Sequence, residues 1–377
     1  MNTDEPLQLL GGLSAKAFMQ RHWQKKPLVI RQAIPGFKSP LDRSDLCALA
    51  AREEVQSRLV VQASAGGAQP WRFKHGPFNR KALPAFKQPG WTLLVQGVDL
   101  VDDRVHALMN QFRFVPDARL DDVMVSYATD GGGVGPHFDS YDVFLLQVHG
   151  QRRWRIGRQK DLRLQPDLPL KVLAHFEPEM EFVLEPGDML YLPPRYAHDG
   201  IAVGECMTYS IGFRAPSRGE LAGELLQRLA DDAMDAAGSA LYRDAKQVAV
   251  AHSGEIPDAL LDFARTALED ALGDPLALRR VLGEHLTEPK GHVSFDATEV
   301  AALDRVLTLD RRTRMMYDVQ HLFVNGESFL ASGRDAQLMR KLADMRTLEA
   351  ADLKRLSGPA RALLLDWCEA GWIHVKQ

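Results

Sequence analysis

Residues 131–144 read GGGVGPHFDSYDVF, and the fold turns on how that stretch is read. His137 and Asp139 are separated by a single residue. In an extended strand, positions i and i+2 project from the same face, so an imidazole nitrogen and a carboxylate oxygen can reach one ion. The glycines ahead of them give the backbone conformations closed to other residues and leave the approach uncrowded.

A third ligand has to come from elsewhere in the same sheet. The segment EPGDMLYLPPRYAHDG, residues 185–200, supplies it. Glu185-Pro186-Gly187-Asp188 reads as a turn and MLYLP as a strand, and Pro193-Pro194 lead into a loop that presents His198. Two neutral imidazoles and one carboxylate on one side of an ion leave three adjacent positions open. That donor set is characteristic of non-haem Fe(II) oxygenases. The open face can take a 2-oxo acid in two positions and dioxygen in the third. A closed structural zinc site would need a fourth protein ligand, and neither segment contains a thiol. His75, His106, His149 and His175 have no partner at ligand spacing.

Around these motifs, residues 121–216 are almost entirely β in pattern. VMVSYA, YDVFLLQV, RRWRIG, EFVLE, DMLYLPP and MTYSIGF are short runs rich in β-branched and aromatic residues, separated by Gly, Pro and Asp. Such a density of strands predicts a small barrel or double sheet of the jelly-roll kind. A 2-oxo diacid needs a cation for its distal carboxylate, and arginine offers two parallel hydrogen bonds. In QRRWRIG, alternation puts Arg152, Trp154 and Ile156 on one face and Arg153 and Arg155 on the other. The apolar company of Arg152 makes it the inward arginine, with Arg153 and Arg155 on a solvated outer face. Ser126, in VMVSYA, is a second candidate donor to the same co-substrate.

Before the barrel, residues 13–120 mix short elements. Ser14 is placed to cap a helix running to His22, LVI after Pro27 reads as a strand, and helices are expected near Ser44–Arg52 and Asp102–Phe112. RLVVQ and WTLLVQGVDL are strand-like. After the barrel, residues 217–290 switch to helical period. Leu221, Leu225, Leu226 and Leu229 form one stripe, and Leu260, Leu261, Phe263, Ala264, Ala267, Leu268 and Leu272 another. Such stripes serve an internal helical layer or a dimer face. Residues 295–377 read as a small α+β module. Its strands RMMYDV and HLFVN precede the turn pair Asn325-Gly326, helices follow, and WIHV closes it, as in a winged helix. Its charges are interleaved, so no DNA-binding footprint is expected.

The composition excludes little and agrees with this reading. The chain has 377 residues, 45% hydrophobic and 25% charged, with a formal net charge of −4, which gives no global bias towards nucleic acid or membrane. No apolar run approaches the roughly 18–20 residues of a membrane span. Cys47, Cys206 and Cys368 lie far apart without CxxC spacing, as in a reducing compartment, and a cytoplasmic location is expected.

At these residues the sequence resembles the JmjC-type ribosomal oxygenases, specifically their bacterial arginine hydroxylases. RHWQKKPLVI at 21–30, HGPF at 75–78, WTLLVQ at 91–96, the glycine-led HxD stretch, RRWRIG, EPGDMLYLPP and YSIGFRAP at 209–216 carry the likeness. The resemblance implies an α+β chain in three parts. These are a cupin/JmjC double-stranded β-helix over residues 1–216, a helical dimerisation region over 217–294 and a winged-helix-like domain over 295–377. It implies iron on His137, Asp139 and His198, and 2-oxoglutarate on Arg152 and Ser126. The implied substrate is an arginine of the sixteenth large-subunit ribosomal protein, hydroxylated at its β-carbon, with Tyr141 and Asp142 as candidate contacts to that cation. Thr208 departs from the pattern, where Asn is expected. A histidine hydroxylase, an N-methyl demethylase or a non-enzymatic cupin scaffold would share much of this sequence.

Overall fold

A computed structural model describes residues 2–62, 71–297 and 302–376. Two compact units divide between Ala215 and Pro216. In the first, the helices begin where side chains can cap them. Ser14 accepts from the Ala17 N–H at the start of α1 (Ala15–Arg21). Asp42 and Asp45 form a reciprocal capping box on α2 (Arg43–Ala50), and Asp102 caps α3 (Asp103–Met109). Each such cap contributes about 1 kcal/mol.

The strands are β1 (Leu28–Ile30), β2 (Ser57–Gln62), β3 (Trp71–His75), β4 (Trp91–Val95), β5 (Leu120–Ala128), β6 (Val143–Gly157), β7 (Met180–Leu184), β8 (Met189–Leu192) and β9 (Ala197–Phe213). They hydrogen-bond in the order β1-β8-β6-β9-β5-β4-β2-β3, with β7 pairing on β6. The long pair β6–β9 is the spine. The first part of β6 also pairs with β8, its second part with β7, and the second half of β9 with β5. This is the double-stranded β-helix that the sequence predicts.

The runs YDVFLLQV and RRWRIG, read as separate strands, are one strand. Gly150 joins them. Its φ is +60°, and a Cβ there would stand 2.0 Å from the Glu205 carbonyl oxygen. The β6–β9 register shifts on either side of His149, with a net surplus of one residue on β9. Before the bulge, Val143 and Leu145 face the cavity. After it, Arg152 and Trp154 do. The inward parity changes from odd to even between Leu145 and Arg152. The opposite face of β6 (Phe144, Leu146, Val148) packs into a core with Phe18, Phe112, Tyr191 and Phe213 from the flanking elements.

In the second unit, α4 (Arg218–Ala237), α5 (Asp258–Leu272) and α6 (Pro275–Thr287) lead to β10 (Leu307–Leu309), β11 (Met315–Tyr317), β12 (His321–Val324) and β13 (Glu327–Leu330). Then come α7 (Gly333–Met345), β14 (Thr347–Leu348), α8 (Ala350–Leu353), α9 (Gly358–Glu369) and β15 (Ile373–Val375). Asn325 and Gly326, both at positive φ, make the β12–β13 turn as expected. The strands fall into two three-stranded sheets, β14-β10-β15 and β11-β12-β13.

Helix α6 packs on the β11–β13 sheet. Gly283 faces the Phe323 ring, Arg314 Nε donates to the Leu286 carbonyl at 3.1 Å and Ser328 Oγ to Glu284 Oε1 at 2.7 Å. The division expected at 294/295 therefore has α6 on one side and its packing partners on the other. Among the described residues no helix is long and apolar enough to cross a membrane.

Candidate metal centre

His137 sits on an isolated bridge to His198 of β9. Its N–H donates to the His198 carbonyl at 3.0 Å and receives the His198 N–H at its own carbonyl at 2.8 Å. The sequence placed His137 and Asp139 on a strand and His198 on a loop, and both placements need correcting. Pro136 has no N–H, so the ladder at His137 is confined to one isolated bridge. His198 is instead the second residue of β9, paired with Ile156 of β6 on its other side. The prolines of the preceding loop end before it. A central strand thus fixes His198, and its partner rung fixes His137.

The two imidazole centroids lie 4.2 Å apart, and Asp139 Oδ2 is 3.7 Å from His198 Nε2. Donor atoms from all three residues fall within 4.8 Å of one another, the one such group among the described residues. His137 Nδ1 is 2.9 Å from the Gly135 carbonyl and His198 Nδ1 is 3.0 Å from that of Tyr196. A carbonyl can only accept, so each Nδ1 carries the proton and each Nε2 lone pair is left for an ion. Burial, reinforced by neighbouring His137, pushes His198 down to about 4. It is neutral at pH 7, as a ligand must be. Gly133 makes room for this close packing, since a Cβ there would stand 2.7 Å from the Gly200 carbonyl oxygen.

The three residues open into a cavity of about 270 Å³ that Ser126, Leu145, Arg152 and Trp154 also line. Arg152 is 6% exposed. Its Nη1 donates to Ser126 Oγ at 3.3 Å, while Nε and Nη2 are buried with no partner among the described residues. A buried guanidinium left like this is unfavourable until an anion pairs with it. Its place beside a His-Asp-His group suits a dicarboxylate that binds the ion at one end and the arginine at the other. The residues present therefore fit Fe(II) and 2-oxoglutarate together.

Arg153 is exposed, as alternation predicts. Arg155 is not simply solvated, because it pairs at 2.5 Å with buried Asp199. Tyr141 lines the cavity. Asp142, expected beside it, is turned away. It is fully buried, accepting from Tyr191 Oη at 2.6 Å, Gln24 Nε2 at 3.1 Å and Arg119 Nη2 at 3.3 Å. One residue of alternation separates the two, so the cavity receives only the first.

Sequence reasoning missed two further carboxylates that line the cavity. Asp121 and Asp122 line it, and Gln96 Nε2 donates to both Asp122 oxygens at 3.0 and 2.8 Å. The signal was available. If Ser126 faces inward, so by period two do Met124 and Asp122.

A JmjC domain model matches residues 107–221, and a ROXA-like winged-helix model matches residues 267–374. The chain is 36% identical over 287 residues to the ribosomal protein uL16 3-hydroxylase of Escherichia coli K12, covering 75% of this chain and 74% of that one. The crystal structure of E. coli ycfD superposes with a TM-score of 0.83 at 31% identity, over 97% of this chain and 98% of that one. The chain belongs to the JmjC ribosomal oxygenases. A second structure of that E. coli ribosomal oxygenase, in complex with cobalt and 2-oxoglutarate, superposes with a TM-score of 0.80 at 30% identity, over 96% and 97% of the two chains. In the present ribosomal oxygenase, Thr208 does not line the cavity; its Oγ1 donates to Gln147 Oε1 at 2.9 Å.

Proposed function

We propose that this chain is an Fe(II)- and 2-oxoglutarate-dependent dioxygenase that hydroxylates the β-carbon of an arginine in the large-subunit ribosomal protein uL16. The observation that carries this reading is the half-paired, buried Arg152 facing the same cavity as His137, Asp139 and His198. Those three would hold the ion. Arg152 would grip the distal carboxylate of 2-oxoglutarate, with Ser126 steadying the guanidinium. When bound, iron and 2-oxoglutarate supply the activation of dioxygen that turns a C–H into C–OH, with succinate and carbon dioxide released. The protein's part is orientation and exclusion of water. Val143, Leu145 and Trp154 give the cavity an apolar lining, and Asp121 and Asp122 line it together with Arg58 and Lys171.

Asp122 at the cavity wall would contact a cationic side chain, which suits an arginine target. Tyr141 would close the same site. The deciding measurement is the mass of uL16 from cells with and without this gene. We expect about +16 Da, one oxygen atom, on an arginine in the first and not the second. An unmodified uL16 in both, with a shift on another protein, overturns the substrate. Absence of succinate release with 2-oxoglutarate overturns the enzyme reading altogether.

In this reading residues 1–216 carry the chemistry and the helices of 217–294 join two copies. Helix α5 has no buried residue, and Leu261, Leu268 and Leu272 stand exposed with Leu226 of α4. A second copy would cover an apolar face larger than monomers usually leave open. Leu225 and Leu229, which the sequence offered as interface positions, are poor probes, because Leu229 is buried within the chain and Leu225 is half-buried. Leu261→Glu with Leu268→Glu is the sharper test. The parent chain is expected to sediment as a dimer and the double variant as a monomer of unchanged helix content. A parent that sediments as a monomer at micromolar concentration ends the idea.

A further inference from the structure

The register change in β6 decides which arginine enters the cavity, so whatever fixes that bulge also aims Arg152. Gln147 is the last residue before it and Thr208 its cross-strand partner on β9. Both side chains are buried. All the hydrogen-bonding groups of Gln147 are engaged at this place. Its Nε2 donates to the carbonyls of His149 and Gly150, at 2.8 and 3.3 Å. Its Oε1 accepts from Thr208 Oγ1 at 2.9 Å. Its backbone N–H donates to the Asp188 carbonyl, and its own carbonyl accepts the Gly187 N–H, both at 2.9 Å.

The carbonyls of His149 and Gly150 sit where the β6–β9 register is broken, and a donor there holds them in place. The Gln147 amide supplies it, and it can do so only with its nitrogen turned towards the bulge. The Thr208 hydroxyl holds the amide in that sense by donating to the oxygen on the other side. Thr208 is in turn opposite Ser126 on β5, whose Oγ accepts from Arg152. The hydroxyl, the amide, the bulge and the guanidinium thus form one connected chain of contacts. We propose that Gln147 and Thr208 are positioning residues for the co-substrate: they lock the register break at His149–Gly150, and thereby hold Arg152 in line with the metal-binding face. This rests on the assignment of Arg152 to 2-oxoglutarate.

Thr208→Val keeps the shape and removes the donor to Gln147; Thr208→Ser keeps the donor. The primary readout is calorimetric titration of 2-oxoglutarate into the full-length protein loaded with manganese(II) under anaerobic conditions. Thr208→Val is expected to weaken 2-oxoglutarate about five- to tenfold, the effect of one buried hydrogen bond lost. Manganese affinity should be unchanged and Thr208→Ser close to the parent. In turnover, KM for 2-oxoglutarate should rise while kcat at saturation stays within about threefold, the pattern of lost binding rather than lost chemistry. Gln147→Leu should give a larger change of the same kind. If it does not fold, Thr208→Val still decides.

The effect should also be non-additive. In an Arg152→Lys background, Thr208→Val should weaken 2-oxoglutarate by less than twofold, because the group being aimed has gone. Equal effects of Thr208→Val in the two backgrounds, or none in the parent, overturn the positioning role. If Arg152→Lys alone leaves 2-oxoglutarate binding unchanged, the assignment of Arg152 fails instead, and the two failures are told apart by that single variant.

Discussion

Asp139→Ala should abolish hydroxylation while leaving the fold in place. The carboxylate is the one anionic donor of the three, so it balances much of the ion's charge and fixes the side from which the ion is held. Its loss leaves two imidazoles. Changing a mere supporting partner of a metal ligand typically costs about ten- to a hundredfold in affinity or activity. Losing a ligand itself should exceed that, and turnover should fall below detection at ordinary iron concentrations.

The fold should survive because what Asp139 contributes to the architecture is its backbone. Its carbonyl accepts the Arg195 N–H at 2.7 Å, while its carboxylate is 23% exposed and stands at the cavity. A substitution of this kind changes stability by about 0.5 kcal/mol or less, which moves the melting temperature by roughly 1–2 °C in a unit of this size. The measurement is a paired one, succinate formation together with metal titration. Turnover within about threefold of the parent, a difference of well under 1 kcal/mol, would remove Asp139 from the metal site.

The site was more legible in the sequence than the backbone that carries it, and the reason is chemical. His137, Asp139 and His198 are donor types that the ion requires whatever the local structure, so their spacing pointed to them even though the strand and loop assigned to them were exchanged. Arg152 was legible because Trp154 and Ile156 travel with it on one face of a regular strand. The continuity of β6 was not. RRWRIG taken alone gives the correct face, but its relation to YDVFLLQV passes through Gly150, whose conformation is dictated by the Glu205 carbonyl in another strand. No local pattern contains that contact.

The same limit explains Asp142 and Leu229. Alternation does separate Tyr141 from Asp142, but only the partners Tyr191, Gln24 and Arg119 reveal which of them is held inside the core. A helical stripe declares that a face will be covered and is silent about what covers it. For Leu229 the cover lies within the chain, and for Leu261 and Leu268 nothing among the described residues covers them. Asp122 differs from these, since the period of β5 was enough to find it once Ser126 was taken as inward.

Arg152→Ala should weaken 2-oxoglutarate more than any other single substitution outside the metal ligands. The guanidinium is buried, makes one hydrogen bond to Ser126 and presents Nε and Nη2 unpaired, the two-donor edge that a carboxylate matches. Removing one partner of a buried charge pair costs about 2–5 kcal/mol, since the other charge is left without its counterpart. At about 1.4 kcal/mol per decade, that is a loss of roughly 30- to several-thousand-fold in affinity for 2-oxoglutarate. Arg152→Lys should recover part of the loss, because an ammonium restores the charge but not the fork. Metal affinity should hold in both variants, since Arg152 supplies no donor to the ion.

Arg153→Ala is the internal control. It lies one residue along on the exposed face of β6, paired across the ladder with Val183 and Ile201, and should be nearly silent. Equilibrium titration of 2-oxoglutarate into manganese-loaded parent, Arg152→Ala and Arg153→Ala protein decides between the faces. A strong effect at Arg153 with none at Arg152 would mean that the bulge at Gly150 does not set the register in solution. Silence at both positions would place the distal carboxylate on another strand and leave the unpaired Arg152 nitrogens without their proposed partner.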